Sequence, residues 1–262
     1  MLIPAQHAPH DGIHRPGNTL FSRLSYHAQD RFTPIGRGTA ATISHDIAVA
    51  HAAASRAVDG STSVVYALCS FPGHHSTRDT YGGYCYVNQS AVVAGALRRT
   101  LSKVAVVDVD YHCGNGTMAV FWDDPTVFVA SLHMDPDADY PFTVGFADQR
   151  GGPGALGATM CVPLPPKCDW AAYKPALEAV LDGVRGFGAE ALVVSMGLDT
   201  VAGDPEITPG AGMLLELEAY ASMGAMFRDA GIPLVFVQEG GYYLERIPDA
   251  VAAVLGLSSA SD

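Results

Sequence analysis

Two hydrophobic patterns alternate along the chain. Continuous apolar runs at Val64–Leu68, Val104–Asp108, Val127–Leu132, Ala191–Ser195 and Pro233–Val237 read as strands buried on both faces. Between and around them, Ser44–Val58, Val87–Leu101, Trp170–Phe187 and Met213–Ala230 read as helices. Ser44 is expected to cap the first helix, and Pro175 to interrupt or start the third. Val-rich strands separated by helices predict an α/β fold, with a parallel sheet flanked by helices on both faces. Residues 1–40 show no periodic element and are expected to form an irregular N-terminal arm on a single domain spanning residues 1–262.

Composition narrows the class. With 48% hydrophobic and 16% charged residues, the chain can bury a core and is not disordered. No apolar run reaches the roughly 18 residues of a membrane span. The start of the sequence lacks a basic-then-apolar export signal, so a cytoplasmic location is expected. A net charge of −12 argues against a nucleic-acid partner; it suits a cationic substrate, and equally serves solubility alone. Five cysteines without C-x-x-C spacing (Cys69, Cys85, Cys113, Cys161 and Cys168) are expected to be reduced thiols. His7, His10 and His14 have no surrounding ligand frame and are expected at the surface or in packing.

The candidate chemistry sits where strands end, which is where open α/β sheets build their sites. The first strand runs into Pro72-Gly73-His74-His75, the second into Asp108-Val109-Asp110-Tyr111-His112, and the third into Ser131-Leu132-His133. The fourth runs into Gly197-Leu198-Asp199 and the fifth into Glu239-Gly240-Gly241-Tyr242. In extended backbone Asp110 and His112 point the same way. With Asp199 they would make three metal ligands and leave a position open for water or substrate. Twin imidazoles can serve as general base and acid, with Asp108 orienting His74 and Asn115 partnering His75. Two glycines let the Tyr242 hydroxyl swing toward such a site as an oxyanion donor. Singly, each feature has an ordinary counterpart: carboxylates capping loops, idle surface histidines, a core tyrosine.

Together the motifs resemble the histone deacetylase and acetylpolyamine amidohydrolase family. The resemblance rests on Pro72-Gly73-His74-His75, Gly82-Gly83-Tyr84-Cys85-Tyr86-Val87-Asn88, Asp108 through Thr117, Ser195 through Asp199, and Glu239-Gly240-Gly241-Tyr242, in order and spacing. It covers roughly Val64 to the C-terminus, and Ser131 through Pro136 looks closest to the bacterial acetylpolyamine enzymes.

The resemblance implies an arginase-deacetylase fold, shortened on its N-terminal side, and a metal-dependent amidohydrolase. Its substrate would be a small acylated amine such as acetylpolyamine, or acetyl-lysine. It implies Asp110, His112 and Asp199 as ligands of zinc, or of ferrous iron, which suits the same donors. It implies His74 and His75 as the acid/base pair backed by Asp108 and Asn115, Tyr242 polarising the acyl carbonyl, and Tyr84, Gly83 and Gly241 lining the substrate path. A structural potassium would be held by Asp108, Asp110, His112, Ser131 and Leu132. A non-catalytic metal-binding member of the same fold and a binuclear manganese hydrolase are the competing readings.

Three departures stand out. Cys113 follows His112 where the family usually has a histidine, which raises the question of a redox-sensitive thiol. Ser70-Phe71 precedes Pro72 where the family has Arg-Pro, which predicts a looser loop. The front is shorter than the family's, so several strands and one rim of the active site are expected to be missing. The acidic residues of the polyamine enzymes' upstream loop have no evident match. An exposed parallel edge would favour a homo-oligomer.

Overall fold

The computed structural model describes residues 14–257. His7 and His10 lie outside the described residues; His14 is exposed. In chain order the elements are α1 (Leu20–His27), α2 (Thr39–Val58), β1 (Val64–Ala67), α3 (Gln89–Leu97), β2 (Val104–Asp108), α4 (Asn115–Phe121) and β3 (Val127–Met134). They continue with β4 (Thr159–Leu164), α5 (Trp170–Phe187), β5 (Leu192–Met196), α6 (Leu217–Arg228), β6 (Leu234–Gln238) and α7 (Ile247–Leu255).

Six strands form one sheet in the order β1-β6-β5-β2-β3-β4, and every pairing is parallel. Along β2, alternate residues feed two cores. Ala105 and Val107 pack with α5, α6 and α7 on one face; Val104 and Val106 pack with α2, α3 and α4 on the other. Both faces are thereby covered, as a parallel sheet requires.

Register fixes the site. Ala67, Val237, Ser195, Asp108 and Ser131 are successive partners across five strands. Every motif singled out at a strand end begins at or just beyond this row, so the motifs share one edge of the sheet.

The differences from expectation have local causes. α2 begins at Thr39, not Ser44, because the Ser44 hydroxyl donates to the Ala40 carbonyl one turn back. α3 begins at Gln89, where the Asn88 side chain accepts the Ala91 N–H as N-cap. α5 runs through Pro175 unbroken from its Asp169 cap to Gly188, whose φ of 76° closes it. α6 starts only at Leu217, because Leu214 and Leu215 spend their N–H groups on the carbonyls of Cys168 and Thr200. α1 lies inside the stretch read as an irregular arm. β4, α4 and α7 add to the elements that the hydrophobic pattern predicts. β4 carries Pro163, which argues against a central strand but fits the sheet edge it occupies. Among the described residues no helix is long and apolar enough to cross a membrane.

Candidate active site

The strand-end loops enclose a pocket of about 170 Å³. Its walls include His74, His75, Gly83, Tyr84, Asp110, His112 and Tyr242 from the sequence reading, and Asp30, Asp139, Tyr140 and Glu206 besides. Asp110 and Asp199 are fully buried, and the His112 side chain is 16% exposed. One potential ligand atom from each of these three lies within 4.8 Å of the others. Asp199 Oδ2 is buried with no hydrogen-bond partner, 3.3 Å from His112 Nδ1. A Cβ on Gly240 would come within 2.7 Å of both carboxylates, so glycine there keeps the cradle clear.

The electrostatics of this trio call for a positive charge. Burial and the neighbouring Asp110 push the Asp199 carboxyl up to about 7. Burial opposes charge on His112, yet the adjacent Asp110 and Asp199 carboxylates carry its imidazole up to about 10. Two buried carboxylates side by side repel unless a cation sits between them. A divalent ion fits this donor set and supplies that charge.

His74 and His75 sit on the loop after β1, with ring centroids 4.0 Å apart. His74 Nδ1 donates to Asp108 Oδ2 at 3.0 Å. Burial alone would depress its pKa, but Asp110 and Asp108 hold it well above the usual histidine value. His75 Nδ1 donates to Asn115 Oδ1 at 2.6 Å, which leaves Nε2 as its proton acceptor. Burial, His74 and His112 push its pKa well below the ordinary value. One imidazole is therefore built to carry a proton and its neighbour to lack one.

The loop itself is pinned rather than loose. Asp46 of α2 accepts the N–H groups of Ser70 at 2.9 Å and Phe71 at 3.3 Å, and the Phe71 ring packs on Tyr86 at 4.7 Å. These Asp46 bonds hold the loop in place of the slackness expected from Ser70-Phe71.

Tyr242 follows Gly241, whose φ of 135° is open to glycine alone. Gly241 forms this turn and is not among the pocket-lining residues. Burial and the nearby Asp199 and Asp110 push the Tyr242 phenol far up, so it stays an O–H donor. Asp204 Oδ2 accepts the N–H groups of Tyr242 at 2.7 Å and Tyr243 at 3.1 Å, while Asp204 Oδ1 accepts that of Glu206 at 3.0 Å.

At the mouth, the Tyr84 hydroxyl donates to Glu206 Oε2 at 3.1 Å. Tyr84 holds a left-handed φ of 66°, with its N–H on Thr33 Oγ1. Asp30 accepts the Gly83 N–H and so ties the upstream segment to the rim. Tyr140 stands edge-on to His75 at 4.9 Å. Asp30 thus brings an acid from upstream of β1 to the pocket wall.

Other candidates resolve differently. Cys113 is fully buried, and burial drives its thiol well above the usual range, so it is no activated nucleophile. His133 bridges Ser131 Oγ at 2.8 Å and the Gly145 carbonyl at 2.9 Å, away from the pocket wall. Ser131 and Leu132 are buried on β3 beside Asp108.

The chain belongs to the histone deacetylase domain family, which it matches over residues 7–257, well upstream of Val64. Within it, the chain is 39% identical to acetylpolyamine amidohydrolase 2 of Pseudomonas aeruginosa, covering 88% of this chain and 66% of the relative. It is 36% identical to acetylpolyamine amidohydrolase 1 of the same organism, covering 92% and 69%. The crystal structure of acetylpolyamine aminohydrolase from Burkholderia pseudomallei superposes with a TM-score of 0.90 at 31% identity, covering 97% of this chain and 72% of that one. The chain therefore spans about two thirds of the length of the curated relatives it matches.

Proposed function

We propose that the chain hydrolyses the amide of an N-acylated, cationic amine with the help of a divalent metal ion held by Asp110, His112 and Asp199. The observation that carries this reading is the clustering of three potential ligand atoms within 4.8 Å at a pocket shared with two oppositely tuned imidazoles and a phenol. When bound, the ion supplies Lewis-acid polarisation of the carbonyl and lowers the pKa of water. His75 Nε2, with its other nitrogen fixed by Asn115, accepts the proton of the attacking water. The Tyr242 hydroxyl donates to the carbonyl oxygen as negative charge gathers there. His74, backed by Asp108, holds the proton that the departing amine needs.

The substrate class follows from the wall and from the relatives, whose names specify acetylpolyamine. Asp30, Asp139 and Glu206 line the pocket, and among the described residues no lysine or arginine does. Such a mouth attracts an amine with a second positive charge. Zinc is the ion we infer, since Asp110, His112 and Asp199 would offer it the oxygen and nitrogen donors it takes in hydrolytic sites. A potassium ion behind it would use Asp108, Asp110, His112, Ser131 and Leu132. The test is a deacetylation assay across acetylated diamines, acetyl-lysine peptides and neutral acyl amides, with a chelator and with zinc or iron restored. Turnover of acetylated diamines that stops with chelator is expected. No turnover on any acyl amine by metal-loaded protein would overturn the reading.

A further inference from the structure

Glu239 follows β6 and is only 4% exposed. No lysine or arginine ion pair with it occurs among the described residues. The His74 imidazole lies nearby, but a carboxylate this buried stays costly unless its oxygens are well supplied with donors. Here they are. Oε2 accepts the Gly73 N–H at 2.6 Å and the His74 N–H at 3.1 Å. Oε1 accepts the Ser90 hydroxyl of α3 at 3.1 Å, and Ser90 in turn accepts the Ser195 hydroxyl of β5 at 2.7 Å.

These contacts join parts of the chain that chemistry must keep in register. Glu239 lies 166 residues from Gly73 and three from Tyr242. Its next neighbour, Gly240, donates to Asp110 Oδ2 at 2.9 Å. One short segment therefore touches the imidazole loop, the metal-ligand loop and the phenol. We propose that Glu239 is a positioning residue for the reaction: its carboxylate sets the His74–His75 loop against the turn carrying Tyr242, so that imidazoles and phenol meet the same carbonyl. This rests on the deacetylase reading above. The flanks of the loop have their own anchors, Asp46 at Ser70 and Phe71, and Asn88 Nδ2 at the Ser76 carbonyl. Losing Glu239 should therefore shift the loop rather than unfold the protein.

The test compares E239A, E239D and E239Q. Aspartate keeps the charge but withdraws the oxygens from the two amides; glutamine loses the charge but keeps an oxygen within reach of both. A misplacement of about 1 Å costs on the order of 100-fold in rate, so E239A and E239D should lose about 100-fold in kcat with KM within about threefold. E239Q should stay within about tenfold of the unmodified chain, the loss expected for about 1.4 kcal/mol. Amide hydrogen exchange at Gly73 and His74 should quicken in E239A and E239D but not in E239Q. The proposal is overturned if E239D retains kcat while E239Q loses it, or if exchange at those two amides is unchanged in E239D. Should E239A fail to fold, the aspartate and glutamine variants still decide. No turnover by the unmodified chain, with both amides protected, would sink the deacetylase reading and leave the clamp standing. Turnover with the variant order reversed would do the opposite.

Discussion

His74 and His75 lie ring against ring at 4.0 Å, and the fold drives their proton affinities in opposite directions. The Asp110 and Asp108 carboxylates raise the first, while burial and the His74 and His112 rings lower the second, which has only the neutral Asn115 amide behind it. Replacing Asn115 by Asp should erase much of that difference. The new carboxylate would raise the pKa of His75, so the base would remain protonated to higher pH. The acid limb of the kcat pH profile should therefore move to higher pH, by about one unit or more for a charge at hydrogen-bond distance. A limb that stays in place would remove His75 from the role of base.

Tyr242→Phe should lose about 10²–10³-fold in kcat, the usual effect of deleting one oxyanion donor, while metal content stays at the unmodified level. Elemental analysis together with steady-state kinetics checks both halves. Full activity would exclude the phenol from the chemistry.

Asp199→Asn relieves the repulsion between two buried carboxylates. Stripped of metal, this variant should melt higher than the stripped unmodified chain, because the Asp199 carboxyl, pushed up to about 7 by burial and by Asp110, no longer has to ionise. Adding metal should raise the Tm of the unmodified chain and move that of the variant little. Equal metal-induced shifts in both would mean that Asp199 is not a ligand.

His133 offers a pH test of stability that needs no turnover measurement. Burial lowers its pKa from 6.5 to about 4, so the unfolded chain takes up the proton first. The stability contributed by keeping it neutral is complete above the unfolded value and drains as pH falls from 6.5 toward 4. That loss is on the order of 3 kcal/mol. Urea unfolding of the unmodified chain and His133→Gln at neutral and mildly acid pH should show a smaller acid loss in the variant. Parallel curves would contradict the assignment.

Glu206→Gln tests the mouth. Removing one exposed charge should raise KM for an acetylated diamine by roughly 2- to 5-fold, in line with exposed ion pairs. KM for a neutral acyl amide should not change. An equal effect on both substrates would argue against charge recognition there.

Much of the site was legible because its residues are tied to strand ends. Asp108, Asp110, Asp199 and Tyr242 follow Val-rich runs whose burial is written in composition, and parallel register then brings them together. What stayed hidden was contributed by loops. Asp30, Tyr140 and Glu206 carry no periodicity, and only tertiary contacts such as Asp30 to Gly83 bring them to the pocket. Glu239 stood in plain view within a motif, but its partners Gly73 and Ser90 are remote in sequence. α1 and α4 are single short helices whose few turns give too little pattern to read.

Asp204 grips the amides of Tyr242 and Glu206 with one carboxylate. On the proposed reading, the acid that would hold a substrate's far amine and the phenol that would meet its carbonyl share one backbone anchor. Shortening a substrate so that it no longer reaches Glu206 would therefore slow its cleavage as well as loosen its grip.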